Sequence, residues 1–99
     1  MEIRIQAIHF DVTERLDAFI RKKVAKLSQY HDGILDAEVI LRVVKPETAR
    51  NKQAGIRLQI KSNDCFAEKV SDTFEEAVDE AVVALEKQLI KAKEKSRSK

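Results

Sequence analysis

The chain reads as an α+β domain of order β-α-β-β-β-α, with two helices packed on one face of a four-stranded, mainly antiparallel sheet. Three observations predict this. Short segments alternate apolar with polar residues, the period of a strand with one face on a core. Two longer segments repeat apolar residues at steps of three and four, the stripe of an amphipathic helix. Only two glycines and one proline occur in 99 residues, which leaves little chain for irregular loops. Amphipathic strands and helices bury their apolar sides together when both helices lie on one side of the sheet.

The first strand is residues 2–8, where Ile3, Ile5 and Ala7 alternate with Glu2, Arg4 and Gln6. From Val12 the period changes. Val12, Leu16, Phe19, Ile20, Val24, Leu27 and Tyr30 predict a helix over about 13–30, with Asp11 or Thr13 as N-cap. Gly33 is placed to end it in the left-handed conformation. Residues 35–44 are rich in β-branched side chains and put Ala37, Val39, Leu41 and Val43 on one face. The polar stretch 45–52, with Pro46, reads as an exposed connection. Ile56, Leu58 and Ile60 then alternate with Arg57, Gln59 and Lys61 as a third strand. Ser62-Asn63-Asp64 signals a turn before a shorter strand at 65–70.

Phe74, Ala77, Val78, Ala81, Val82, Leu85 and Leu89 stripe the last helix, with Ser71, Asp72 or Thr73 as candidate caps and a pattern lasting to about Ala92. Residues 1–99 are expected to form one domain, with a basic end at 93–99 that frays in isolation.

Composition removes several classes of function. No apolar run approaches the roughly 20 residues that span a bilayer, and the alternating start is no secretion signal, so a cytoplasmic protein without membrane contact is expected. Cys65 is the only cysteine, which rules out an internal disulfide and suits a buried thiol. His9 and His31 stand alone, without metal-ligand spacing. Glycine-rich phosphate loops and nucleophile motifs are absent. The expectation is a non-enzyme with no metal, no cofactor and no small-molecule substrate.

Charge is sorted along the chain although its net value is only +2. Arg21, Lys22, Lys23 and Lys26 cluster on the first helix, and Lys87, Lys91, Lys93, Lys95, Arg97 and Lys99 on the last. Between them residues 72–86 hold Asp72, Glu75, Glu76, Asp79, Glu80 and Glu86 with no base. The helix dipole favours acids first and bases last by a few tenths to about 1 kcal/mol per charge, in the terminal turns only. It accounts neither for six bases in the last thirteen residues nor for the cluster on the first helix. At 100° per residue, Arg15, Lys22 and Lys26 share one flank beside the apolar stripe, and Lys87 and Lys91 do the same on the last helix. Helices packed side by side would join these flanks in one groove or ridge, a surface for phosphates. Lys23 lies close to the stripe, so its stem should cover the core edge while its ammonium reaches solvent.

The predicted arrangement is like that of double-stranded-RNA-binding domains. Those domains meet phosphates with bases at the start of the last helix, where this chain has Asp72, Glu75 and Glu76. A sheet that stacks unpaired bases would carry aromatics on its open face. The outward positions read here are Arg42, Arg57 and Gln59, so stacking is disfavoured and phosphate contacts through helix flanks are favoured.

Val12-Thr13-Glu14-Arg15-Leu16, Phe19-Ile20, Lys23-Val24-Ala25-Lys26-Leu27 and Tyr30 resemble the first helix of the bacterial ribosome hibernation promoting factor and ribosome-associated inhibitor family, also described as sigma-factor modulation proteins. Ala77-Val78-Asp79 and the run from Leu85 to Lys95 resemble that family's basic closing helix. The resemblance spans essentially the whole chain, and the β-α-β-β-β-α order is also the family's. It implies a stationary-phase stress-response factor that occupies the decoding channel of the small ribosomal subunit, excludes mRNA and tRNA, inhibits translation and preserves idle ribosomes. The partners implied are the small subunit with its rRNA and whole ribosomes, met by a chain that is a monomer when free. Carried over by position, Lys23, Lys26, Lys87, Lys91, Lys93 and Lys95 would contact rRNA, with Arg97 a weaker match. Arg15 and Lys22 join them from the helical wheel alone.

One stretch departs from the family. An acid-Met-Tyr run commonly precedes Ala-Ile-Asp, whereas Asp72-Thr73-Phe74-Glu75-Glu76 precedes Ala77-Val78-Asp79 here, so Phe74 replaces the tyrosine with a shift of one residue. An end at Lys99 matches the family's short form. The alternative reading, from another class, is a regulatory module that binds a protein through the acidic patch 72–86.

Overall fold

The computed structural model describes residues 1–45, 50–61 and 64–97, with side chains through Ala92. Its elements are β1 (Glu2–Ala7), α1 (Glu14–Ala25), a 3-10 turn (Lys26–Gln29), β2 (Ile34–Val43), β3 (Lys52–Ile60), β4 (Cys65–Ser71) and α2 (Phe74–Arg97). The fold is the α+β arrangement expected from the sequence, with strand order β1-β2-β3-β4. The helix between β1 and β2 makes that pair parallel, Ile3 opposite Ala37 and Ile5 opposite Val39. The two remaining pairs are antiparallel, with Val39 opposite Ile56 and Ile56 opposite Ala67.

Each helix starts where a threonine satisfies an orphan backbone donor. Thr13 Oγ1 accepts from Leu16 N at 3.1 Å, and Thr73 Oγ1 accepts from Glu76 N at 3.1 Å. The first helix does not run unbroken to residue 30. It tightens at Lys26 into the 3-10 turn, closed by Tyr30 N donating to the Leu27 carbonyl at 3.0 Å, and Leu27 stays fully buried. Gly33 is not left-handed either. His31 takes the space: its Nδ1 accepts from Gly33 N at 2.8 Å, and a Cβ on Gly33 would lie 2.9 Å from His31 Cε1. Glycine is needed there for clearance. The left-handed positions are His9 (φ 67°) and Lys45 (φ 48°), at the exits of β1 and β2.

The core is one layer between sheet and helices. Ile20, Val24 and Leu27 enter it from the first helical segment, and Ala77, Val78, Ala81, Val82, Leu85 and Leu89 from α2. Ala37, Val39, Leu41, Ala54, Ile56, Leu58 and Ile60 meet them from the sheet. Val43, expected on this face, lies beyond the helices and is 39% exposed. The connection 45–52 is shorter than read: Asn51 is buried, its carbonyl accepts from Val44 N at 2.8 Å, and Lys52 already belongs to β3. Residues 46–49, with Pro46, and Ser62 and Asn63 of the expected turn lie outside the described residues.

Both margins of the sheet are partly closed by side chains. The pairing turns the main-chain groups of Ile3 outward on β1 and those of Phe66 and Val70 outward on β4. Arg21 Nη1 donates to the Ile3 carbonyl at 3.1 Å and Gln88 Nε2 to the Phe66 carbonyl at 2.9 Å, while Arg50 Nη2 makes a longer contact, 3.4 Å, with the Val70 carbonyl. Such capping blunts an edge strand's tendency to pair with another chain.

Cys65 is buried at the first position of β4. Burial pushes its thiol pKa up, and the Asp64 carboxylate beside it adds to the effect. Raising an acid's pKa in the fold means that the unfolded chain loses its proton first. Stability contributed by the neutral thiol is therefore complete below the ordinary thiol value of about 8.5 and declines as pH rises through it. In urea denaturation between pH 7 and 10, Cys65→Ala should lose less stability than the parent chain; parallel pH profiles would refute this.

Candidate nucleic-acid interface

Strand directions fix the sense of the helices. Because β4 runs parallel to β2, and each helix folds back over the sheet, α1 and α2 point the same way. Both begin with acids, Glu14 and Asp17 on α1 and Glu75 and Glu76 on α2. Both carry their bases later, so the charge order that each dipole favours becomes an acidic end and a basic end of the whole domain.

Two contacts fix the rotation of α1. Arg21 Nε donates to Asp17 Oδ1 at 2.6 Å on the β1 side, and Lys23 Nζ lies 3.1 Å from Asp79 Oδ1 of α2 on the other. Arg15, Lys22 and Lys26 are exposed on the flank next to Lys23. Lys23 departs from expectation. Its ammonium does not simply reach solvent but is held by Asp79 and lies 5.6 Å from the centre of the Phe19 ring.

Lys87 and Lys91 are exposed, but not on the side of α2 that faces α1. Glu80, on the same flank, accepts from the Ser71 hydroxyl of β4, and Lys87 shares a shallow depression with Lys69, Asp79, Glu80, Val83 and Ala84. The two basic groups therefore stand on either side of α2's outer surface, as a ridge and not a groove, with Asp79 between them. Leu89 is the last fully buried residue among those described, and the helix continues through Arg97. At 1.5 Å per residue this carries it about 12 Å past the core. The side chains of Lys93, Lys95 and Arg97 lie outside the described residues.

The open face of the sheet carries one aromatic that the alternation reading left out. Phe66 is 53% exposed, and its ring atoms lie 3.6 Å from where a Cβ on Gly55 would sit, so the ring rests against glycine backbone. Around it the face is polar and largely self-paired: Arg57 Nη2 contacts Asp64 at 3.1 Å, and Arg4 lies 3.8 Å from Asp36 and 4.0 Å from Glu38. Phe74, whose role the sequence left open, stacks on Phe10 with ring centres 5.0 Å apart and planes at 16°, which anchors the start of α2 over the chain entering α1.

Among the described residues, no three His, Cys, Asp or Glu side chains gather as a metal ion would need. No described helix is long and apolar enough to cross a membrane.

Comparison with known proteins follows this geometry closely. The model of the family described as Sigma 54 modulation protein / S30EA ribosomal protein matches residues 3–97. The ribosome hibernation promoting factor of Escherichia coli K12 is 30% identical over 95 residues, 96% of either chain. That of Pseudomonas putida KT2440 is 29% identical over 98 residues, 99% of this chain and 92% of its own. In structure, the N-terminal domain of Thermus thermophilus Protein Y superposes with a TM-score of 0.79 at 26% identity, over 92% of this chain and 98% of its own. A ribosomal subunit interface protein from Coxiella burnetii shares the fold, with a TM-score of 0.83 at 24% identity over 94% and 98% of the two chains.

Proposed function

The chain belongs to the Sigma 54 modulation protein / S30EA ribosomal protein family, and from that premise we propose that it is a ribosome hibernation factor. It acts by binding the decoding channel of the small subunit, where its bulk excludes mRNA and tRNA; translation stops, and idle ribosomes are preserved in stationary phase. Relatives named for ribosome hibernation support the role. The observation that carries it is the shared direction of the two helices, which turns two separate runs of lysine into one basic end, extended past the core by α2. Lys22, Lys23 and Lys26 with Arg15 approach rRNA from one side, and Lys87, Lys91, Lys93, Lys95 and Arg97 from the other. These are phosphate contacts: they position the domain on a folded RNA surface without reading sequence. The free protein is a cytoplasmic monomer and carries out no reaction.

The acidic start of α2 does not favour the protein-binding alternative. Asp79 is paired with Lys23, Glu80 with Ser71, and Glu75 and Glu76 sit where a helix dipole welcomes acids. The test is sucrose-gradient sedimentation of stationary-phase lysate across a salt series. Co-migration with small subunits and whole ribosomes, lost steeply as salt rises, is the expected result, because each phosphate contact releases counterions. A protein that stays at the top of the gradient at low salt would reject the reading.

A further inference from the structure

Asp79 is a carboxylate set into the basic ridge. On one side its Oδ1 lies 3.1 Å from Lys23 Nζ of α1; on the other it lines the same depression as Lys87 and Lys69. Its neighbour Glu80 is engaged by the Ser71 hydroxyl, and Glu75 and Glu76 lie one turn earlier on the same helix. The side chain of Asp79 is 55% exposed and that of Lys23 32%, so the pair is open to solvent and to a competing anion. The Phe19 ring, 5.6 Å from the same ammonium, helps to hold it at the helix seam.

Resting on the ribosome-binding reading above, we propose that Asp79 is a selectivity residue for RNA. It occupies Lys23 and interrupts the positive potential between the two basic groups. A flexible or unstructured RNA that draws near must compete with the carboxylate for Lys23 and gains little by doing so. A rigid RNA surface shaped to engage both helices at once compensates for the lost pair through its other contacts. Discrimination built from a repulsive element lowers affinity for wrong partners more than for the right one.

The experiment compares the parent chain with Asp79→Asn, which removes the charge at nearly constant shape. Binding to an oligouridylate and to purified ribosomes is followed across a salt series, and circular dichroism checks the fold. With Asp79→Asn, oligouridylate should bind several-fold tighter, with a salt slope steeper by about 0.7, the value of one added single-strand phosphate contact. Ribosome affinity should rise less, so the ratio of the two affinities falls. In Asp79→Asn combined with Lys23→Gln, the added slope should vanish. Glu2→Gln, which makes the same change in net charge at the exposed start of β1, should move the slope much less. An unchanged slope for Asp79→Asn, an equal gain for Glu2→Gln, or a gain that survives Lys23→Gln would each overturn the proposal. Failure of the ribosome reading would show separately, as a parent chain that binds oligouridylate but not ribosomes.

Discussion

Replacing both Lys87 and Lys91 with glutamate should release the protein from ribosomes at moderate salt while leaving its melting temperature nearly unchanged. Both lysines are exposed on α2, and no ion pair to either is made among the described side chains, so the fold loses little with them. Binding loses much more. Each phosphate contact contributes roughly 0.7–0.9 to the slope of log affinity against log salt, so deleting two contacts at 0.1 M salt costs about 40-fold before any repulsion from the new carboxylates is added. Reversal should lower the slope itself by about two. Filter binding or sedimentation across salt reads both quantities. Retained binding with an unchanged slope would place the RNA contacts elsewhere on the domain.

Leu85→Ala should produce the opposite split, a large loss of stability with no change in surface charge. Leu85 is fully buried beneath the middle of α2, among the side chains that hold the helix on the sheet. Truncating such a leucine costs about 2–5 kcal/mol, the removed apolar surface plus the cavity left behind. Against a total of about 5–15 kcal/mol for an ordinary domain, that is a large fraction. The melting temperature should drop by about 10 °C or more, at roughly 4–8 °C per kcal/mol for a chain of this size. Val83→Ala, two residues before Leu85 on the solvent side of α2 and 44% exposed, is the matched control and should shift the melt by a degree or two. Similar losses for the two variants would mean that α2 is not seated as described.

Much of this was legible in the residues, because periodicity and charge order are local properties. The alternation of Ile56, Leu58 and Ile60 marked β3, and the stripe from Phe74 to Leu89 marked α2, since a single buried face selects those positions. What the sequence did not carry was anything decided between elements. Gly33 invited a left-handed cap, and only the position of the His31 ring shows that the glycine is there for room. Lys23 lay beside the apolar stripe on the wheel, but its attachment to Asp79 depends on which side of α1 receives α2. The separation of Lys87 and Lys91 from the first helix has the same origin: the wheel gives a flank and cannot say which neighbour that flank faces. Phe66 alternates correctly with Cys65 and Ala67, yet it attracts notice only once Gly55 is seen across the ladder. His9 and Lys45 take left-handed backbone without glycine, so no residue type announced those bends.

The side chains laid along the sheet margins limit how this domain can be addressed. Main-chain recognition treats all sequences alike, and an open strand edge accepts any extended peptide that drifts past. With Arg21, Gln88 and Arg50 occupying outward carbonyls, that indiscriminate route is narrowed on both sides. A visitor must then be read by charge and shape. The same closure guards the free domain against stacking edge to edge with its own copies.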